Sequence, residues 1–195
     1  AALEAWAEAR GAEARLRFVL GRHERSDVEA ADVLVVNPGV PPRAEMLEVA
    51  RAAAIPRTTA ISLLMGSIPC DAAGVTGTNG KSSTVTFLDQ VLRASGRRTH
   101  VGGNIGGSLL DRTESMDAHD DVVLELSSFQ LEHMASGTRP ALRVAAITNV
   151  ERDHLAWHGS VEAYRLAKMR ILELVAAGGT AIVPAGPLAA AAREQ

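Results

Sequence analysis

The stretch AAGVTGTNGKSSTVTFLDQVLRA, residues 72–94, limits the possible folds more than any other part of the chain. A short apolar run breaks at a polar turn between two glycines, and Lys-Ser then opens a segment with helical periodicity. Backbone N–H groups in such a turn, with the free N–H groups of the helix start, make a cradle for anions. Lys81 adds a mobile charge suited to β- and γ-phosphates, and the Ser82 hydroxyl suits Mg²⁺. The spacing departs from G-x-x-x-x-G-K-[ST] at one position: Val75 stands five residues before Gly80, and the nearest glycine is Gly77. The plainer alternative is a glycine turn ahead of a surface helix with a solvated lysine.

The rest of the chain repeats the strand–helix alternation. Strands are expected at 16–21, 31–37, 72–77, 99–101, 121–126, 142–148 and 180–183. Helices are expected at 1–14, 43–54, 60–66, 81–94, 128–135, 160–176 and 186–193. This order predicts an α/β fold with a mostly parallel sheet and helices on both faces. Two units are expected to meet near residue 60, and both chain ends look cut.

No run of eighteen apolar residues exists, so no membrane-spanning helix is expected, and the charged first residues are not expected to form a signal peptide. A net charge of −3 carries no basic footprint for nucleic acid. The single cysteine, Cys70, permits no internal disulfide, which fits a cytoplasmic setting. Among 20 basic residues only Lys81 and Lys168 are lysines. Such a chain is expected to keep lysine where an amine is needed.

Four further segments carry chemistry. VVLELSSFQLE (122–132) delivers Glu125 to the end of an apolar strand, where a carboxylate suits Mg²⁺ or pairs with an arginine. ITNVERDHLAWH (147–158) brings Asp153 and His154 to the same edge, and His158 reads as structural. Lys168 lies on the stripe Val161, Tyr164, Lys168, Ile171, Val175, where an ammonium is costly. It can snorkel, pair with a carboxylate, or lose its proton and be modified, and periodicity leaves all three open. VGGNIGGSLLD (101–111) is a flexible loop that presents Asn104 or simply connects two elements.

TGTNGKS (76–82), GGNIG (102–106), LELSSFQLE (124–132), NVxxDHL (149–155) and AYRxAK (163–168) occur in order, and together they resemble the Mur ligases. GGNIG and LELSSFQLE resemble the branch that adds D-glutamate, while TGTNGK is shared with folylpolyglutamate synthases. The resemblance implies ATP-dependent amide formation in peptidoglycan synthesis, with UDP-N-acetylmuramoyl-L-alanine, D-glutamate and ATP as substrates and an acyl phosphate between the two steps. It implies that Gly77, Thr78, Asn79, Gly80, Lys81, Ser82 and Ser83 hold the ATP phosphates. Ser82 and Glu125 would ligate one Mg²⁺, and His154 and a carbamylated Lys168 would serve a second; Lys81, Glu125, His154 and Lys168 are then the catalytic set. Asn37, Asn104, Ser127 and Gln130 would touch the UDP-linked substrate.

By the same resemblance, residues 1–59 are the remnant of a Rossmann-like domain for that substrate, and 60–195 belong to a P-loop ATPase-type central domain. The domain that binds the amino acid is expected to lie outside the chain, so these residues alone are not expected to complete the reaction. A monomer is expected. Two departures from the family's pattern stand out: Asn37 replaces a serine, and Ala156-Trp157-His158 replaces Asp-Arg-His. The alternatives are a Mur-type or folylpolyglutamate-type ligase for another amino acid, a P-loop module that makes no amide, and a non-catalytic scaffold.

Overall fold

A computed structural model describes residues 17–134 and 137–193, which divide into two compact units. The expected helix at 1–14 lies outside the described residues. The first unit takes in residues up to Leu34 together with Arg43–Pro56. Its helices α1 (Arg25–Glu29) and α2 (Glu45–Ala52) bury Val28, Val49 and Ala50, with Leu34, Met46 and Ile55 packed against them. The strand expected at 16–21 does not form over its described residues: 17–20 carry no regular structure, and Leu20 is 81% exposed. An apolar run without a neighbouring ladder has nothing to hold it extended. The run at 31–37 contracts to β1 (Leu34–Val35), and β2 (Arg57–Thr58) is equally short.

The second unit takes in Val35–Pro42 and residues from Arg57 onward. Five strands, β3 (Asp71–Thr76), β4 (Thr99–Gly103), β5 (Asp121–Glu125), β6 (Leu142–Ile147) and β7 (Val175–Ile182), form one sheet in the order β4-β5-β3-β6-β7. Every pairing in it is parallel. The α/β expectation holds. The chain leaves β3 toward β4 and β5 on one side and then crosses to β6 and β7 on the other. The order therefore reverses at β3, and ligands of open parallel sheets bind outside the carboxyl ends of the strands at such a reversal.

Side-chain alternation decides which helix each strand residue meets. Val122 and Leu124 join the core beneath α3 (Ala60–Ser67), α5 (Ser128–His133) and α7 (Val161–Met169), through Leu64, Leu131 and Met169. Val123 and Val75 face the opposite way and pack with Val85 of α4 (Lys81–Ala94). Helices therefore cover both faces, as expected. Leu124, Leu126, Leu131 and Leu142 are fully buried, and each contributes about 2 kcal/mol by leaving water.

The helix expected at 160–176 stops early. α7 ends at Met169, a 3₁₀ segment covers Arg170–Leu174, and Val175 already pairs with Leu142 in β7. Ladder formation takes the last residues from the helix. Between Leu142 and Val144 the partner on β7 jumps from Val175 to Thr180, an irregularity that holds Gly178 and Gly179. The one-turn α6 (Leu155–His158) and the 3₁₀ turn Leu110–Ser115 were not expected; α8 (Pro187–Ala192) was.

Candidate active site

The loop between β3 and α4 is four residues long, because Val75 and Thr76 belong to the strand. Gly77 takes the position where the strand must turn beneath the β6 loop. A Cβ built there would stand 1.9 Å from the Thr148 hydroxyl, so only glycine fits. Gly80 is the N-cap of α4 with φ of 82°, a left-handed conformation that glycine adopts freely. The residues after β6 brace this loop. Asn149 Oδ1 accepts the Asn79 backbone N–H at 2.9 Å, and Asn149 Nδ2 donates to the Asn79 carbonyl at 3.0 Å. Thr78 donates its N–H to the Asn149 carbonyl at 3.0 Å, and its hydroxyl lies 3.1 Å from the Tyr164 hydroxyl.

The two lysines meet on one atom. Lys81 Nζ donates to the carbonyls of Gly77 and Thr78 at 3.0 and 2.9 Å, and Lys168 Nζ donates to the same Gly77 carbonyl at 2.6 Å. Lys168 is 2% exposed, so it does not snorkel, and its amine stands 4.6 Å over the Tyr164 ring. Burial, helped by the nearby Lys81 charge and opposed by Asp153, lowers its pKa to about 8. Val161, at the start of the same stripe, is 45% exposed.

Glu125 follows Val123 on the α4 face of β5, and this places its carboxylate against the first turn of α4. Oε2 accepts the Ser82 hydroxyl at 2.7 Å, and Oε1 accepts the Asn104 side-chain amide at 2.8 Å. Glu125 is 2% exposed and both partners are neutral. A carboxyl held in place by neutral donors offers hard oxygen ligands to a cation. The β4 loop approaches through Gly103, where a Cβ would stand 2.2 Å from the Glu125 carbonyl; the Asn104 N–H donates to that carbonyl at 2.8 Å. Ser83 is exposed in the first turn of α4.

His154 stands nearby without joining this bonded group. It has left-handed φ and ψ of 49° and 32°, packs edge-on to Phe129 at 4.9 Å, and brings Nε2 3.4 Å from Asp153. Ser127 and Gln130 form a capping box on α5: Gln130 Oε1 accepts the Ser127 N–H at 2.9 Å, and Ser127 Oγ accepts the Gln130 N–H at 3.2 Å. Asn37 accepts the Gly39 N–H at 2.9 Å, closing its own turn. Direct bonds thus form two sets, Lys81 and Lys168 on the Gly77 carbonyl and Ser82 and Asn104 on Glu125, while Asn37, Ser127 and Gln130 have local partners. Sequence reasoning gave no separate role to Thr148, Asn149 or the Tyr164 hydroxyl. Their signals were present: a polar pair directly after an apolar strand, and the only tyrosine of the chain one turn before Lys168.

The family model of the Mur ligase middle domain matches residues 75–194. The chain is 42% identical over 168 residues to the UDP-N-acetylmuramoylalanine--D-glutamate ligase of Trichlorobacter lovleyi, covering 86% of this chain and 37% of that protein. To the ligase of the same name from Geobacter metallireducens it is 43% identical over 158 residues, covering 81% and 34%. The chain therefore spans about a third of the length of these relatives. Among solved structures, MurF ligase from Thermotoga maritima in complex with ADP matches with a TM-score of 0.53 at 16% identity, over 87% of this chain and 48% of that one. MurF from Acinetobacter baumannii gives 0.52 at 18%, over 88% and 44%. At these identities the two structures speak to fold.

Proposed function

This chain belongs to the Mur ligase family through its middle domain, and on that premise we propose that it forms the nucleotide-handling part of a ligase joining D-glutamate to UDP-N-acetylmuramoyl-L-alanine at the expense of ATP. The observation that carries the reading is the meeting of Lys81 and Lys168 on the Gly77 carbonyl of the four-residue turn at the sheet reversal, with the Ser82–Glu125 pair at the first turn of the helix that follows. The names of the relatives at 42% and 43% identity supply the substrates.

In the proposed reaction the L-alanyl carboxylate attacks the γ-phosphorus of ATP, giving an acyl phosphate and ADP. The D-glutamate amine then attacks the acyl carbon, phosphate leaves, the amide forms and the amine gives up a proton. The first step brings an anion onto a polyanion. Lys81 neutralises part of that repulsion once its ammonium passes from the Gly77 and Thr78 carbonyls to phosphate oxygens, and the loop N–H groups hold the phosphates in register. The Ser82–Glu125 pair fits Mg²⁺ by its chemistry, with a hard carboxylate that is buried and hydrogen-bonded to the neutral Ser82 and Asn104. When bound, the ion would add Lewis-acid charge neutralisation at the phosphates.

Lys168 is proposed to carry a carbamate. Burial and the Lys81 charge lower its pKa to about 8, so a neutral fraction exists to take up CO₂ with loss of a proton. The resulting anion and His154 would serve a second Mg²⁺. Asn104 is the favoured contact to the UDP-linked substrate. Residues 1–59 are proposed to serve that substrate and 60–195 the nucleotide, although Val35–Pro42 and residues 57–59 fall within the second compact unit, and the enzyme is proposed to act in the cytoplasm as a monomer.

The test is phosphate release by the intact protein with ATP, Mg²⁺, UDP-N-acetylmuramoyl-L-alanine and a panel of D- and L-amino acids. Release that requires D-glutamate supports the reading. Release with another amino acid, or ATP hydrolysis indifferent to every muramyl ligand, overturns it. Intact-mass measurement in bicarbonate checks Lys168, and the absence of a CO₂ adduct there removes the carbamate.

A further inference from the structure

The chain has only three Phe, two Trp and one Tyr, yet Phe129, Trp157 and Tyr164 gather at the turn that carries His154. Phe129 meets Trp157 at 4.6 Å and His154 at 4.9 Å, and Tyr164 meets His158 at 5.2 Å. His158 lies at the buried back of this cluster with its side chain fully enclosed. Its Nε2 is within hydrogen-bond reach of the Ser128 hydroxyl at 3.0 Å, and its Nδ1 stands 3.3 Å from Glu132 Oε2 without a hydrogen bond to it. The same Glu132 oxygen accepts the Trp157 indole N–H at 2.7 Å.

A serine, a histidine and a glutamate in line resemble a nucleophilic triad, but enclosure argues for another use. Ser128 is 2% exposed and the rings of Phe129 and Tyr164 flank His158, leaving no room for a substrate carbonyl. The backbone indicates what the network does. His154 holds a left-handed conformation, which costs a non-glycine residue about 1 kcal/mol and persists where its surroundings fix it. Its carbonyl accepts the N–H groups of Trp157 and His158 at 3.0 and 3.1 Å. α6 is thus a one-turn lever with His154 at the exposed end and His158 locked against α5 at the other.

We propose that His158 is a positioning residue: bonded to Ser128 and packed between the Phe129 and Tyr164 rings, it fixes the backbone and ring direction of His154 at the edge of the nucleotide site. Burial lowers the His158 pKa against the opposing pull of Glu132, which agrees with a neutral ring accepting the Ser128 hydroxyl at Nε2. The inference rests on the ligase reading only for its kinetic readout.

The test compares His158→Phe and Ser128→Ala with the parent in the intact protein. Imidazole ¹⁵N–¹H NMR signals report His154 directly, thermal melting reports folding, and steady-state rates report turnover. The expected result is displaced His154 signals in both folded variants and a kcat lowered about ten- to a hundredfold for His158→Phe, with the ATP KM within about twofold. His154 signals that stay in place overturn the proposal, as does a rate loss that only follows the unfolded fraction. If His158→Phe does not fold, Ser128→Ala decides alone, since it deletes one oxygen and keeps both rings. A parent that releases no phosphate with D-glutamate refutes the ligase reading and leaves the NMR comparison valid.

Discussion

At the scale of single residues, the two lysines show how one side-chain type acquires two characters. Lys81 is half-buried on loop carbonyls at a helix start, whereas Lys168 lies among apolar neighbours with its ammonium on the Gly77 carbonyl. Because burial lowers the folded-state pKa of Lys168 from 10.5 to about 8, the unfolded chain binds the extra proton between those values. Stability therefore rises with pH across that window, and the penalty of the buried charge is fully present below it. Lys168→Met is expected to stabilise the fold by about 1–2 kcal/mol at pH 7 and to lose that advantage as pH rises from 8 to 10.5. Urea denaturation at several pH values checks both outcomes. Gly77 and Gly80 separate in the same experiment. Gly77→Ala drives a methyl into Thr148 and is expected to cost near the top of the ~1–3 kcal/mol range for overpacking. Gly80→Ala, with its nearest neighbour 3.9 Å away, is expected to cost about 1 kcal/mol for φ alone.

At the scale of elements, helix ends matter more than helix middles. α5 starts in the Ser127–Gln130 capping box and ends under Arg170, whose guanidinium donates to the Glu132 and Met134 carbonyls at 2.8 and 2.9 Å. Ser127→Ala is expected to lower stability by about 1 kcal/mol and Arg170→Met by about 1–2 kcal/mol, read from denaturant midpoints. Element boundaries were legible where local chemistry fixes them. Lys81–Ala94 could be read because Gly80 caps its start and Ser95-Gly96 follows its end. The run 160–176 misled because its apolar spacing continues past Met169, while Val175 belongs to a ladder formed with residue 142, far away in the chain. Periodicity has no access to such a partner.

At the scale of the whole molecule, the site exists only because four loops end at one sheet edge. Ser82, Asn104 and Glu125 come from three different elements, and the parallel register sets Gly103 opposite Glu125. Glu125→Gln is therefore expected to weaken Mg²⁺-dependent nucleotide binding by about tenfold or more while leaving the Mg²⁺-free affinity within about twofold, measured by calorimetry on the intact protein. Sequence alone determined the chemistry available: a glycine turn opening a helix with Lys-Ser, carboxylate and histidine at strand ends, and a lysine on an apolar stripe, each set by local spacing. Tertiary structure decided what those groups do to one another. It set both lysines on the Gly77 carbonyl, left Glu125 buried with neutral donors, turned Gln130 inward to a helix cap, and enclosed His158 behind His154. The reason is physical: period and propensity act over a few residues, whereas desolvation and hydrogen-bond partners depend on which distant segments the sheet brings into contact.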